Sequence, residues 1–230
     1  MASQLDVFLR LFEVQTFRDL ANQTNEYACQ KIASKQNGDP FWRETAETEM
    51  KAYFSLLILM GIHSLPRDEM YLSTDDRLGV PGINKVMSLK RYKKLSECLH
   101  VVDNNNGPDP TDLDRDRLFK VRPLITMANQ TFLANYKPKQ AISIDEARVP
   151  FKGRSILRQY MPVKPVKWGM KVWCACEAKS GYLLQFDVCC GGRADGSEKG
   201  LGHDVVMKLA TPFSGKYLHL YFEKKILPLR

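Results

Sequence analysis

Ser143-Ile144-Asp145-Glu146-Ala147-Arg148-Val149-Pro150-Phe151-Lys152-Gly153-Arg154 is the stretch on which the fold turns. Its first half reads as a strand carrying the adjacent carboxylates Asp145 and Glu146, and its second half opens a cationic segment. Between Arg148 and Lys171 stand seven basic residues, Arg148, Lys152, Arg154, Arg158, Lys164, Lys167 and Lys171, and no acidic one. This arm holds nearly all of the net charge of +8. A carboxylate on a strand followed by a cation-rich arm suits metal-assisted phosphoryl transfer on nucleic acid, because a divalent metal takes hard oxygen ligands and a phosphate backbone must be neutralised.

Downstream the alternation continues. Trp168, Met170, Val172, Cys174 and Cys176 mark one face of a second strand, and Tyr182, Leu184, Phe186, Val188 and Cys190 one face of a third. The turn Ala178-Lys179-Ser180-Gly181 joins them as a hairpin. A glycine-rich loop from Gly191 to Gly202 leads to a short helix around Asp204 to Leu209, and Tyr217 to Phe222 reads as a fourth strand. Cys174, Cys176, Cys189 and Cys190 could be imagined as a four-thiolate zinc site, but such sites use Cys-x2-4-Cys knuckles on turns. Buried strand cysteines are the better reading.

Upstream the period changes to that of helices. Leu5, Phe8, Leu9 and Phe12 share one face, then Phe17, Leu20, Thr24 and Ala28 another. After the turn Gly38-Asp39-Pro40, Met50, Tyr53, Phe54, Leu57, Ile58 and Gly61 line a third helix that Thr45 or Thr48 caps. Ser88 to His100 reads as a helix with Lys90, Arg91, Lys93 and Lys94 outward; that basic face is either solvated surface or a DNA contact. The aspartates Asp109, Asp112, Asp114 and Asp116 read as a solvated linker, lacking the glycine and terminal glutamate of a calcium loop. Arg117 to Tyr136 is a further helix with Pro123 in its early turns. Helices first and strands after make an α+β chain that divides into residues 1–116 and 117–230.

With 230 residues, 44% hydrophobic and 26% charged, the composition is that of a globular chain with a real core. The apolar run Leu56 to Met60 is far below the roughly 20 residues that span a bilayer. The first residues show no cationic stretch ahead of an apolar one, so a reducing compartment is expected. The positive charge favours an anionic partner.

Ser143-Ile144-Asp145-Glu146, Phe151-Lys152-Gly153-Arg154, Gln159-Tyr160-Met161-Pro162, Lys164-Pro165, Lys167-Trp168-Gly169 and Ser180-Gly181-Tyr182 together resemble the catalytic core of piggyBac transposases and of host proteins derived from them. Met60-Gly61, Leu65-Pro66, Met87-Ser88, Leu99-His100, Val102-Asp103-Asn104 and Arg117-Leu118-Phe119-Lys120-Val121-Arg122-Pro123 resemble the same family's helical domain. The resemblance implies a helical dimerisation and DNA-binding-like domain over 1–116, followed over 117–230 by a partial ribonuclease H-like mixed sheet of four strands. Family members cut and join DNA with three aspartates holding two divalent metals.

Asp145 matches the first of these aspartates and is the expected metal ligand. Where the family's second aspartate follows a Tyr-Phe pair, this chain has Glu223 after Tyr221-Phe222, and the matching pattern then stops. The third aspartate and a cysteine-rich zinc module would lie beyond Arg230, which makes the expected product a C-terminally truncated, domesticated relative that binds DNA through the seven-cation arm without cutting it. No cofactor is then required, and Mg²⁺ is expected only if the metal site works. DNA is the expected partner, with a homodimer or a heterodimer with a full-length relative beside it, no membrane and no small-molecule substrate, and nuclear location. Two alternatives stay open: a metal-dependent nuclease in which Asp145, Glu223 and Glu146 or another chain's residue hold the metal, and a protein-interaction fragment pairing through an uncovered sheet edge.

Overall fold

The computed structural model describes residues 3–34, 39–75, 77, 79–109, 111–112, 115–162, 166–190 and 201–222. Among them the helices are α1 (Gln4–Leu11), α2 (Val14–Ala33), α3 (Glu47–Ile62), α4 (Asp68–Tyr71), α5 (Ile83–Val86), α6 (Leu89–Cys98) and α7 (Arg122–Asn135), with α8 (Leu201–Ala210) lying between strands. The strands are β1 (Ala141–Pro150), β2 (Arg158–Tyr160), β3 (Trp168–Glu177), β4 (Leu183–Val188) and β5 (His219–Phe222). None of these helices is long and apolar enough to cross a membrane. The chain forms two compact units, one running from Phe12 to Arg115 and the other joining the first eleven residues to those from Asp116 onward. The opening helix α1 therefore belongs with the sheet and not with the helices that follow it in sequence. Thr131 Oγ1 and Asn135 Nδ2 of α7 donate to the Leu11 and Arg10 carbonyls at its end (3.0 and 3.2 Å).

In the helical unit, α2 buries Phe17, Leu20, Ala21, Thr24 and Ala28, the three-and-four spacing expected of its core stripe. Phe17 meets Phe54 of α3 edge-on at 5.8 Å. Along α3 the buried positions are Met50, Tyr53 and Leu56, while Ile58 and Gly61 are exposed, so the stripe is narrower than the apolar sequence suggests. Neither threonine caps it: Ala46 is the N-cap, and the Thr45 N–H is taken by Asn25 Oδ1 (2.8 Å). Ser88 caps α6 by accepting from Arg91 N. Arg91 departs from its expected outward place. It is 7% exposed, because its guanidinium reaches Glu49 through two bonds (2.8 and 2.5 Å) and the Arg43 carbonyl at 2.9 Å.

In the sheet unit the strand order is β2-β3-β1-β5, with β4 also paired to β3. β3 is antiparallel to β1, β2 and β4, whereas β1 and β5 run parallel. Since β1 occupies one side of β3, β2 and β4 lie end to end along the other. The three residues of β2 sit inside the cationic arm, too short for alternation to reveal them. On the outer side of β4, Asn129 of α7 donates to the Phe186 carbonyl (2.9 Å) and accepts from the Phe186 N–H (2.8 Å), closing that edge.

One face of the sheet is the core. Ile142, Ile144, Trp173, Ala175 and Leu184 are buried there with Val205, Val206 and Leu209 of α8 and Phe213. Alternation in a strand sends neighbours to opposite faces, so Trp168, Met170, Val172, Cys174 and Cys176 lie on the other one. The sequence marks that apolar set correctly as one face, yet the buried set of β3 is Gly169, Trp173, Ala175 and Glu177. A bulge at Ala175/Cys176 shifts β4 in register, which takes Leu184 into the core while Phe186 and Val188 pair opposite Cys174 and Val172.

Candidate functional site

Asp145 is exposed on β1, on the face opposite the α8 core, directly across from Cys174. Its own carboxylate accepts the Glu146 N–H at 2.7 Å. The acidic pair is split by the strand's period of two: Glu146 turns to the α8 side, where Lys171 Nζ meets its carboxylate at 2.6 Å and lies 4.1 Å over the Trp173 ring. Asp145 and Glu146 therefore do not converge on one ion.

The neighbours of Asp145 on its own face are thiols. Burial, the charge of Cys176 and that of Asp145 push the Cys174 thiol up to about 11, and burial with Asp145 raises Cys176 as well. Both stay protonated at neutral pH, and a neutral sulfur is a poor ligand for a hard cation. Cys174, Cys176, Cys189 and Cys190 are unbridged and half-buried rather than fully buried, and no group of three or more His, Cys, Asp or Glu among the described residues could hold a metal. Neither Mg²⁺ nor a four-thiolate zinc fits the side chains gathered here. β5 ends its described course with Phe222 opposite Ile144, one residue before Asp145; Glu223 lies outside the described residues.

The cationic arm separates into two sets. Arg148 Nη1 donates to the Val166 carbonyl, Lys171 is paired with Glu146, and Arg158 donates to the Gly153 carbonyl at 3.4 Å. These three are tied into the fold. Lys152, Arg154 and Lys167 are exposed and have no ion-pair partner among the described residues, and Lys164 lies outside them, as do positions 191–200 of the glycine-rich loop. Gly169 lets the arm close against β1, since a Cβ there would stand 2.6 Å from the Val149 carbonyl oxygen.

Two aromatic residues join the set, Tyr160 and Trp168, which the sequence offered only as members of its motifs and, for Trp168, of the β3 alternation. Tyr160 of β2 pairs across from Trp168 of β3, with ring centroids 4.9 Å apart, and the Arg158 guanidinium lies 4.2 Å over the Trp168 ring. Trp168 shares the sheet face of Asp145. It stands six residues along β3 from Cys174, or about 20 Å at the rise of a strand.

The comparisons with known proteins follow the same lines. The chain is 28% identical over 228 residues to the human PiggyBac transposable element-derived protein 2, covering 96% of this chain and 36% of that protein. It is 27% identical over 193 residues to the human PiggyBac transposable element-derived protein 3, covering 83% of this chain and 30% of that one. It thus spans about a third of the length of these curated relatives. Among solved structures it is similar to a piggyBac transposase in a synaptic complex with hairpin DNA, at a TM-score of 0.73 and 24% identity, covering 96% of this chain and 50% of that one. That likeness gives the sheet its ribonuclease H-like fold. Matched over residues 3–229 by the model described as Transposase IS4, the chain belongs to that transposase family, as a piggyBac-type member.

Proposed function

We propose that the chain is a transposase-derived DNA-binding protein that holds duplex backbone through Lys152, Arg154 and Lys167 and does not cut it. The observation that carries this reading is the exposure of three cations that have no ion-pair partner among the described residues, in a segment without an acidic residue beside the strand of Asp145. The similar transposase solved with hairpin DNA supports a nucleic-acid partner. The replacement of the second aspartate of the family pattern by Glu223 motivates the reading of binding without strand cleavage. Nuclear location follows from DNA as the partner.

A salt titration of binding to a blunt duplex tests the reading. Each neutralised phosphate contributes a slope of about −0.9 in log K against log salt. Three contacts give about −2.7. A flat response, or cleavage of supercoiled plasmid with Mg²⁺ that Asp145→Asn abolishes, overturns it.

One further observation favours a second reading. Among the described residues β5 is paired only to β1, and Tyr221 and Phe222 are 55% and 39% exposed, so a strand from another copy or from a full-length relative could extend the sheet. Capture of that relative that survives nuclease treatment and is lost with Leu220→Pro would establish this reading instead.

A further inference from the structure

The Arg158, Tyr160 and Trp168 cluster is more than a phosphate clamp requires. Trp168 and Tyr160 remain 45% and 51% exposed although each ring touches the other. Large rings half in water have an incentive to acquire a flat apolar partner. Their posture is already set: both rise from paired strands, and the Arg158 guanidinium is placed over Trp168 while it donates to the Gly153 carbonyl. A ligand that stacked here would immobilise little that is not already fixed.

We propose that Trp168 and Tyr160, backed by Arg158, form a stacking platform for an unpaired nucleotide base. This rests on the DNA-binding reading above and names the part of the nucleic acid that the site takes. Two features select this ligand over other anions. Lys167 precedes Trp168 directly, and Lys152 and Arg154 lie in the same acid-free segment as Tyr160, so cations without carboxylates accompany the rings, which suits the phosphates on either side of a base. A base within a duplex has both faces covered by its neighbours, so only an unpaired one can offer a face to a ring. The platform also shares its sheet face with Asp145, so a strand laid from one to the other keeps its backbone along the open side of β3.

The probe is a single-stranded oligonucleotide compared with an abasic one of the same length, which keeps the phosphates and removes the stacking faces. The full chain is expected to bind the base-bearing strand about five- to a hundred-fold more tightly, the range that one stacked base contributes. Trp168→Leu with Tyr160→Leu should erase that ratio and leave affinity for the abasic strand and its salt slope unchanged, while Trp168→Phe keeps most of it. Equal affinity of the unaltered chain for the two strands overturns the platform even if the leucine variant fails to fold. A ratio that survives in a folded leucine variant overturns it as well. Binding of neither strand, or binding that ignores salt, removes the DNA reading itself, which a lost ratio with intact salt dependence does not.

Discussion

The two basic stretches of this chain have similar composition and opposite fates. In α6, Arg91 is buried against Glu49, Lys93 meets Glu69 at 2.6 Å, and Lys94 lies between Asp39 and Glu97 at 2.7 and 3.0 Å. In the arm from Arg148 to Lys171, Lys171 alone among the described residues meets a carboxylate, that of Glu146, and three cations stand exposed. Apart from the exposed Lys90, the cations of the helix tie it to α3, α4 and the segment around Asp39, whereas Lys152, Arg154 and Lys167 of the arm meet no carboxylate among the described residues. Density of lysine and arginine in a sequence does not distinguish the two cases. The position of the acids does: Glu69, Glu49 and Asp39 come from 24, 42 and 55 residues away, and Glu97 from the next turn of the same helix.

The contrast is broken most sharply at Arg91. Arg91→Ala takes from Glu49 its buried partner and leaves it only the more exposed Arg43, 2.8 Å away, so the expected cost is about 3 kcal/mol, at the lower end for a broken buried pair. Arg158→Ala in the arm gives up a cation–ring contact at a half-exposed tryptophan and should cost about 1 kcal/mol or less. Urea unfolding of both variants measures this, and equal losses would erase the distinction.

Acid sharpens it next. The Arg91 guanidinium holds the Glu49 carboxyl below its ordinary value, and Lys31 and Lys94 do the same for Glu97. A depressed folded pKa means that the stabilisation is complete above the unfolded carboxylate value, about 4.3, and is lost as pH falls through the lower folded one. Thermal melts from pH 7 to pH 3 should therefore lose stability mainly below pH 4.5, with a shallower loss in Glu49→Gln. An unchanged acid profile in that variant contradicts the assignment.

Binding supplies the third test. Glutamine at Lys152, Arg154 and Lys167 together should lower the salt slope for duplex binding by about 2.7, while glutamine at Lys90 and Lys93 together should change it by less than 1. The reverse outcome would make α6 the DNA surface. The smallest effect is expected for Lys93→Ala, which removes an exposed pair with Glu69 and should leave the melting midpoint where it was.

What the sequence made legible follows from the range of the physics involved. Helices α2 and α6 and strands β1, β3 and β4 rest on local periodicity and appear where that periodicity puts them, whereas α7 starts at Arg122 rather than Arg117, with Pro123 in its first turn, and β5 starts at His219 rather than Tyr217. The side of β3 that is buried does not: both of its faces carry apolar residues, and only the packing of Val205, Val206 and Leu209 decides in favour of Trp173 and Ala175. The place of Asp145 on β1 was readable from the alternation around it, and its separation from Glu146 needed only the strand period to be taken literally. The inward turn of Arg91, the docking of α1 on α7 and the pairing of β2 rest on partners distant in sequence, and no local pattern announces them.

Asn129 carries a consequence for the ageing of the molecule. Its side-chain amide serves the β4 edge as both donor and acceptor, a role usually filled by the backbone of another strand. Hydrolysis of that amide to a carboxylate would alter few other contacts, yet it would set oxygen against the Phe186 carbonyl oxygen and remove the only donor it receives from α7. A change of one mass unit at a single side chain would then remove one of the two bonds by which Asn129 closes the β4 edge.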